Sequence, residues 1–412
     1  MKLLRLLPLL LVLLGWSPAS GRAELARSAG SPTGLPQTRN LFHELLGKSE
    51  AELDAKLDAA WRHFFAGDDS QRIYFPVGAD LAYIADIGSG DVRSEGMSYG
   101  MMLAVQLDKR AEFDRLWKWA NKYMRHADGP RKGYFAWHCK FDGTQLDPGS
   151  ASDGEEWFAM ALFFAAHRWG NGAQGVFNYE AEAQTILRDM RHKQSTAEVT
   201  AIFDRTARQV VFAPTQEASR FTDPSYHLPA FYELWARWSD NASDRNFWTE
   251  AADVSRAFFH RAAHPVTGLM PDYATFGGRP HRDYSPDKGD FRYDAWRTLA
   301  NVGLDSAWWH TDPWQVEQSN RVLRFLGSQI QLANQYSLDG KPLSTDTSLG
   351  LVAMAAVAGQ AADPALARPF VQQLWDAPLP SGQWRYYNGL LYFLGLLQAG
   401  GRFQIYSPPA AK

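Results

Sequence analysis

Apolar residues recur at helical spacing through most of this chain. Leu116, Trp119, Ala120 and Tyr123 fall at i, i+3, i+4 and i+7, and Phe158, Ala161, Leu162, Ala165 and Ala166 repeat the stripe. That spacing puts a row of side chains on one buried helix face. Such patterns run over about residues 40–65, 97–107, 111–126, 155–169, 178–192, 226–239, 244–262, 294–309, 313–334, 349–361, 364–376 and 388–399. Strand patterns are few. The clearest is Val210-Val211-Phe212, bounded by Pro214, a short β-branched and aromatic run. About twelve helices joined by short Gly-, Pro- and Asp-marked loops, with little sheet and no long linker, predict an all-α fold. The expected form is an (α/α)6 barrel, in which helices alternate between an inner and an outer ring. A different α-solenoid is the competing arrangement, but no fixed-period repeat speaks for it.

The first residues read differently. Lys2 and Arg5 precede an apolar run from Leu6 to Leu14, and small residues follow up to Ala23. This order is that of a secretory signal peptide over residues 1–23, with a retained anchor as the alternative. A Gly/Ser/Pro-rich leader over 24–39 and a single catalytic domain over 40–412 are expected after it. No other apolar stretch is long enough to cross a bilayer, so the mature protein is expected to be periplasmic or secreted, with no membrane association.

Composition narrows the chemistry. A net charge of −3 gives no electrostatic reason to expect nucleic acid. The single cysteine, Cys139, rules out an internal disulfide and reads as a small buried core residue. Sixteen tryptophans, sixteen tyrosines and 24 phenylalanines are more than a core needs, so some should line a groove where flat rings stack on sugar faces.

Three acidic motifs stand at expected helix starts beside such aromatics: Ser94-Glu95-Gly96, Ser152-Asp153-Gly154-Glu155-Glu156 and Tyr293-Asp294-Ala295-Trp296-Arg297. Ser152 and Glu155 have the spacing of a capping box, Ser94 is placed to cap the helix at Glu95, and Asp223-Pro224 reads as a cap followed by a first-turn proline. Ordinary capping explains any one motif; three with aromatic neighbours point to a carbohydrate hydrolase, which needs two carboxyl groups facing one bond. Asp283, Asp287 and Asp290 lack EF-hand spacing, and Asp290 is expected to cap the helix that carries Asp294. No zinc pattern or phosphate loop is present, and no cofactor is expected.

Ser94-Glu95-Gly96-Met97-Ser98-Tyr99-Gly100-Met101, Asp153-Gly154-Glu155-Glu156-Trp157-Phe158-Ala159, Asp223-Pro224-Ser225-Tyr226-His227-Leu228-Pro229 and Arg385-Tyr386-Tyr387-Asn388 resemble, in order, the blocks of glycoside hydrolase family 8. The likeness is strongest to its xylan-active branch of endo-xylanases and reducing-end xylose-releasing exo-oligoxylanases. The resemblance implies an (α/α)6 barrel, inversion at the anomeric carbon, Glu95 as general acid, Asp294 as general base, and Asp153 as a third carboxylate beside the distorted sugar. It further implies Trp137, Tyr226, Tyr293 and Tyr387 as sugar-binding aromatics.

An inverting pair stands roughly 6.5–9.5 Å apart to admit a water, and its acid must have a raised pKa. A first-turn position favours the Glu95 anion, so a neighbouring carboxylate such as Asp153 is needed to offset it. Arg297, one turn beyond Asp294, is placed to hold the base ionised. Exo-acting members close the cleft with a loop containing Leu-His-Pro; here Asp346-Thr347-Ser348-Leu349 stands before Gly350. Endo action by a monomer on xylan or xylo-oligosaccharides is therefore expected. The alternatives are exo action, a β-1,4-endoglucanase, a polysaccharide lyase and a non-catalytic sugar binder.

Overall fold

The computed structural model describes residues 37–172 and 175–408. The segment read as a signal peptide, and the leader up to residue 36, lie outside the described residues. Thirteen α-helices are described. They are α1 (Leu41–Leu46), α2 (Glu50–Trp61), α3 (Ser94–Gln106), α4 (Arg110–Trp119), α5 (Ser152–Trp169), α6 (Tyr179–His192) and α7 (Pro229–Trp238). The rest are α8 (Ala242–Ala262), α9 (Arg297–Trp309), α10 (Trp314–Gly327), α11 (Leu349–Ala358), α12 (Pro364–Asp376) and α13 (Arg385–Ala399). No described helix is long and apolar enough to cross a membrane.

The helices pack as hairpins, α3 on α4, α5 on α6, α7 on α8, α9 on α10, α11 on α12 and α13 on α2, and α13 returns to touch α3. The result is an (α/α)6 barrel whose inner ring is α3, α5, α7, α9, α11 and α13. Sequence separates the rings. α11 reads Leu-Gly-Leu-Val-Ala-Met-Ala-Ala-Val-Ala and is buried nearly all round, as a helix enclosed on every side must be. On α4 only Phe113, Leu116, Trp117 and Trp119 are buried, the single stripe of an outer helix. One continuous apolar core draws on residues from Leu41 to Ile405. Cys139 is a free thiol inside it, and burial pushes that thiol up to about 12.

The departures from expectation are local. The helix expected over 40–65 breaks at Gly47, whose φ of 72° ends α1, and restarts at Ser49, which forms a capping box with Glu52. The helix expected over 313–334 ends at Gly327. Val210-Val211-Phe212 contributes only an isolated bridge, Phe203 to Val210. The named strands lie elsewhere, β1 (Tyr74–Val77) with β2 (Leu81–Ile84), and β3 (Val92–Arg93), β4 (His138–Cys139) and β5 (Gln145–Asp147) as a second small sheet. At two to four residues each, they are too short to display an alternating pattern.

Close contact between inner helices relies on small residues. A Cβ added at Gly303 of α9 would lie 2.6 Å from the Val357 carbonyl oxygen of α11, and backbone cannot step aside as a flexible side chain can. Gly303→Ala should therefore cost about 1–3 kcal/mol through overpacking and lower the melting temperature by a few degrees. An unchanged melting curve would show that α9 and α11 are looser than described.

Candidate active site

The N-terminal ends of three inner helices, α3, α5 and α9, meet at one guanidinium. Glu95 is the second residue of α3 and Asp153 the second of α5, while Asp294 opens a 3-10 turn, Asp294–Trp296, that runs into α9 at Arg297. Arg297 is 5% exposed. Its Nη1 donates to Glu95 Oε2 at 3.0 Å, to Asp153 Oδ2 at 2.8 Å and to Tyr99 Oη at 2.6 Å. Its Nη2 lies 3.4 Å from Asp294 Oδ1. Arg297 thus joins three carboxylates from three segments of the barrel.

Capping differs from expectation. Arg93 and Ala151, not Ser94 and Ser152, are the N-cap residues, and neither caps its helix through a side chain. Ser94 instead donates its backbone N–H to the Trp137 carbonyl at 3.0 Å. Glu155 does not complete a capping box with Ser152, and its Oε1 accepts from the Phe135 N–H. Both serines lie one residue inside the helix, where a side chain no longer reaches the free amides. Asp223 does cap, but only a 3-10 turn, Pro224–Tyr226, ahead of α7. Asp290 does not cap the Asp294 turn: its carboxylate is held by Arg282 at 2.7 Å, and Asp272 accepts from the Ala295 N–H instead.

The two candidate catalytic carboxyls titrate in opposite directions. Burial raises Glu95 to about 7, with the Asp153 and Asp294 anions adding to it and Arg297 opposing. That rise corresponds to roughly 3 kcal/mol against ionisation, several times the roughly 0.3–1 kcal/mol a helix N-terminus returns to an anion. The helix start therefore does not decide its state. Burial also pushes Asp294 upward, yet Lys288 and Arg297 overrule it and its pKa lies below the ordinary aspartate value. Asp153 is raised by burial in spite of Arg297.

Around this centre runs a cavity of about 920 Å³ lined by Glu95, Asp294, Lys288, Tyr293, Tyr387 and Trp384, among others. Tyr387 donates to the Tyr293 carbonyl at 3.0 Å, and Tyr293 accepts from Gln335 through its hydroxyl, which ties the two rings to one wall. Trp137 is half-buried beside the start of α3, stacked on His138 with Arg93 over its ring at 5.7 Å. The β3–β4 pairing of Arg93 with His138 fixes it there. Tyr226 is buried, with its ring 5.4 Å from the Arg297 guanidinium, and it is not among the residues that line the cavity.

Sequence reasoning left several neighbours unassigned. Tyr386 donates to Glu95 Oε1 at 3.1 Å, and its ring fills the space where a Cβ at Gly96 would meet it at 2.5 Å. Its adjacency to Tyr387 was the available signal. Tyr99, Lys288 and Asp272 gave none, because their partners are distant in sequence. Removing the shared cation tests the cluster. In Arg297→Met the carboxyls lose their shared counter-ion, so their folded pKa values rise and stability should fall as pH climbs from about 4 towards 8. A deficit of about 3–5 kcal/mol is expected at the alkaline end. A melting-temperature loss independent of pH would contradict the arrangement.

Comparison with known proteins places this geometry. The family model described as glycosyl hydrolases family 8 matches residues 85–401. The chain is 48% identical over 376 residues to the reducing-end xylose-releasing exo-oligoxylanase Rex8A of Paenibacillus barcinonensis, covering 89% of this chain and 96% of that one. It is 41% identical over 374 residues to the reducing end xylose-releasing exo-oligoxylanase of Halalkalibacterium halodurans, covering 90% and 95%. Among solved structures, the xylohexaose complex of a catalytic mutant of a xylanase from Teredinibacter turnerae superposes with a TM-score of 0.87 at 47% identity, over 90% of this chain and 98% of that one. The chain belongs to glycosyl hydrolase family 8.

Proposed function

We propose that this glycosyl hydrolase cleaves β-1,4-xylosidic bonds with inversion, Glu95 acting as general acid and Asp294 as general base. The observation that carries the reading is the opposed titration of two carboxyls around Arg297: Glu95 raised to about 7 and Asp294 held below its usual value. At mildly acidic pH the first keeps a proton for the leaving oxygen while the second is an anion able to take one from water. Tyr386 and Arg297 hold opposite oxygens of Glu95, which fixes the direction of delivery. Asp153 Oδ1 is buried with no hydrogen-bond partner among the described residues. It is free to accept from a hydroxyl of the sugar at the cleavage point. Trp137, Tyr293 and Tyr387 supply flat apolar faces for neighbouring units.

The substrate class follows from the relatives, whose names place them on xylo-oligosaccharides and xylan. Endo action is favoured by the loop before α11. Asp346, Thr347 and Ser348 line the cavity where exo-acting members are expected to carry Leu-His-Pro, so small side chains leave the cleft open at that end. The names of the relatives at 48% and 41% identity favour the second reading, release of xylose from the reducing end. Export is supported by the Lys2, Arg5 and Leu6–Leu14 pattern. A monomer as the acting unit is supported by Glu95, Asp153, Asp294 and Arg297 all coming from one chain.

Xylohexaose hydrolysis followed at early times by anomeric NMR separates the readings. α-Anomeric xylobiose to xylotetraose are expected from the wild type, and Glu95→Gln should slow hydrolysis by about 10²–10⁴-fold. Xylose with xylopentaose alone would mean exo action, β-anomers would overturn inversion, and cleavage of cellohexaose in its place would make the enzyme a glucanase.

A further inference from the structure

Asp272 is fully buried in the bend ahead of the Asp294 turn, and its carboxylate meets groups of the site. Its backbone N–H donates to the Asp290 carbonyl at 3.0 Å, and that of Tyr273 donates to the Lys288 carbonyl at 2.7 Å. The segment is thereby clamped to the 3-10 turn Pro286–Gly289. Its carboxylate then divides its two oxygens. Oδ1 accepts from the Ala295 N–H at 2.8 Å, one residue past Asp294, and Oδ2 accepts from Lys288 Nζ at 3.0 Å. The same ammonium lies 3.5 Å from Asp294 Oδ2, on the side of that carboxylate away from Arg297. Its Nζ also sits 5.5 Å from the centre of the Tyr273 ring.

We infer that Asp272 and Lys288 are a positioning pair for the base, Lys288 as the counter-ion of Asp294 and Asp272 as the anchor of both that ammonium and the turn beneath Asp294. This rests on the reading of Asp294 as general base. Two features separate the pair from an ordinary surface salt bridge. Asp272 spends both oxygens on groups that touch or carry Asp294, and Lys288 lines the cleft, where a plain structural lysine would extend into water. The electrostatic setting calls for such a pair. Asp294 faces the carboxyls of Glu95, Asp153, Asp223 and Asp272, all four raised by burial, and the buried hydroxyls of Tyr226, Tyr273 and Tyr387, with Lys288, Arg297 and Arg93 as the cations that act on it. Arg297 is already shared with Glu95 and Asp153. Lys288 is the cation that acts most strongly in keeping Asp294 ionised.

The test is the pH profile of kcat/KM on xylohexaose for the purified full chain. In Lys288→Met the Asp294 anion loses its counter-ion, so its pKa rises and the acidic limb moves up by about one pH unit or more. Below both midpoints, on the acidic limb itself, the rate then falls about tenfold with KM little changed, while near neutral pH it changes little. Lys288→Arg should restore the limb. The double variant Lys288→Met with Asp272→Asn removes the buried anion together with its partner and should fall between K288M and the wild type. It carries the test should K288M alone not fold. A limb that stays at the wild-type position in K288M, or in the double variant, overturns the inference. Asp294→Asn run in parallel keeps the two claims apart: if it retains full activity, the base assignment is what has failed.

Discussion

One guanidinium holds the chemistry of this protein in place. Arg297 stands at the first residue of α9 and reaches Glu95 on α3, Asp153 on α5 and Asp294 on the turn leading into its own helix. Three carboxyl groups brought into a half-enclosed site would repel one another and lose their hydration, an arrangement that costs several kcal/mol per ion unless a cation and hydrogen bonds compensate. One cation cannot compensate three anions fully. The remainder is relieved by Lys288 beside Asp294 and by the raised pKa of Glu95, and this partial neutralisation is the property an inverting hydrolase needs. The proposed acid and base are thus separated by their surroundings, since both are simple carboxyls.

The barrel makes this possible through direction. Each inner helix from α3 to α11 is followed by an outer one that returns the chain, and α13 pairs with α2 from the start of the chain, so inner helices begin at the same rim and their first turns face one another. The helix-start field favours anions there, but burial outweighs it at Glu95, as the two magnitudes require. Close packing sets the positions: Gly96 makes room for the Tyr386 ring against α3, and Gly154 makes room for the Ser94 side chain between α3 and α5. A methyl group at either place would displace a side chain that orients or adjoins Glu95.

Much of this was legible along the chain, for identifiable reasons. Buried stripes such as Leu116, Trp119 and Ala120 repeat every turn, so the helices were readable, about twelve where thirteen are described, and with them the barrel. Glu95, Asp153 and Asp294 were readable as candidates because each stands at a helix start within a block of distinctive neighbours. Caps were misplaced by one residue at Ser94 and Ser152, because propensity marks a helix end only approximately. The support of Asp294 was assigned to Asp290, near in sequence, when Asp272 provides it through the Ala295 N–H. Tyr99, Lys288 and Asp272 were invisible for the same reason: a tertiary hydrogen bond leaves no periodic trace. The short strands that seat Trp137 beside α3 are likewise set by contacts across the chain.

The central claim is that Glu95 holds a proton near neutral pH while Asp294 does not. Difference infrared spectroscopy between the wild type and Glu95→Gln, taken across a pH titration, observes this directly through the carbonyl stretch of a protonated carboxylic acid. The account predicts a band present at mildly acidic pH, absent from the variant, and lost with a midpoint at about 7. A band lost in the ordinary carboxylate range, near 4.5, would show that Glu95 is ionised when the enzyme works, and would contradict the account.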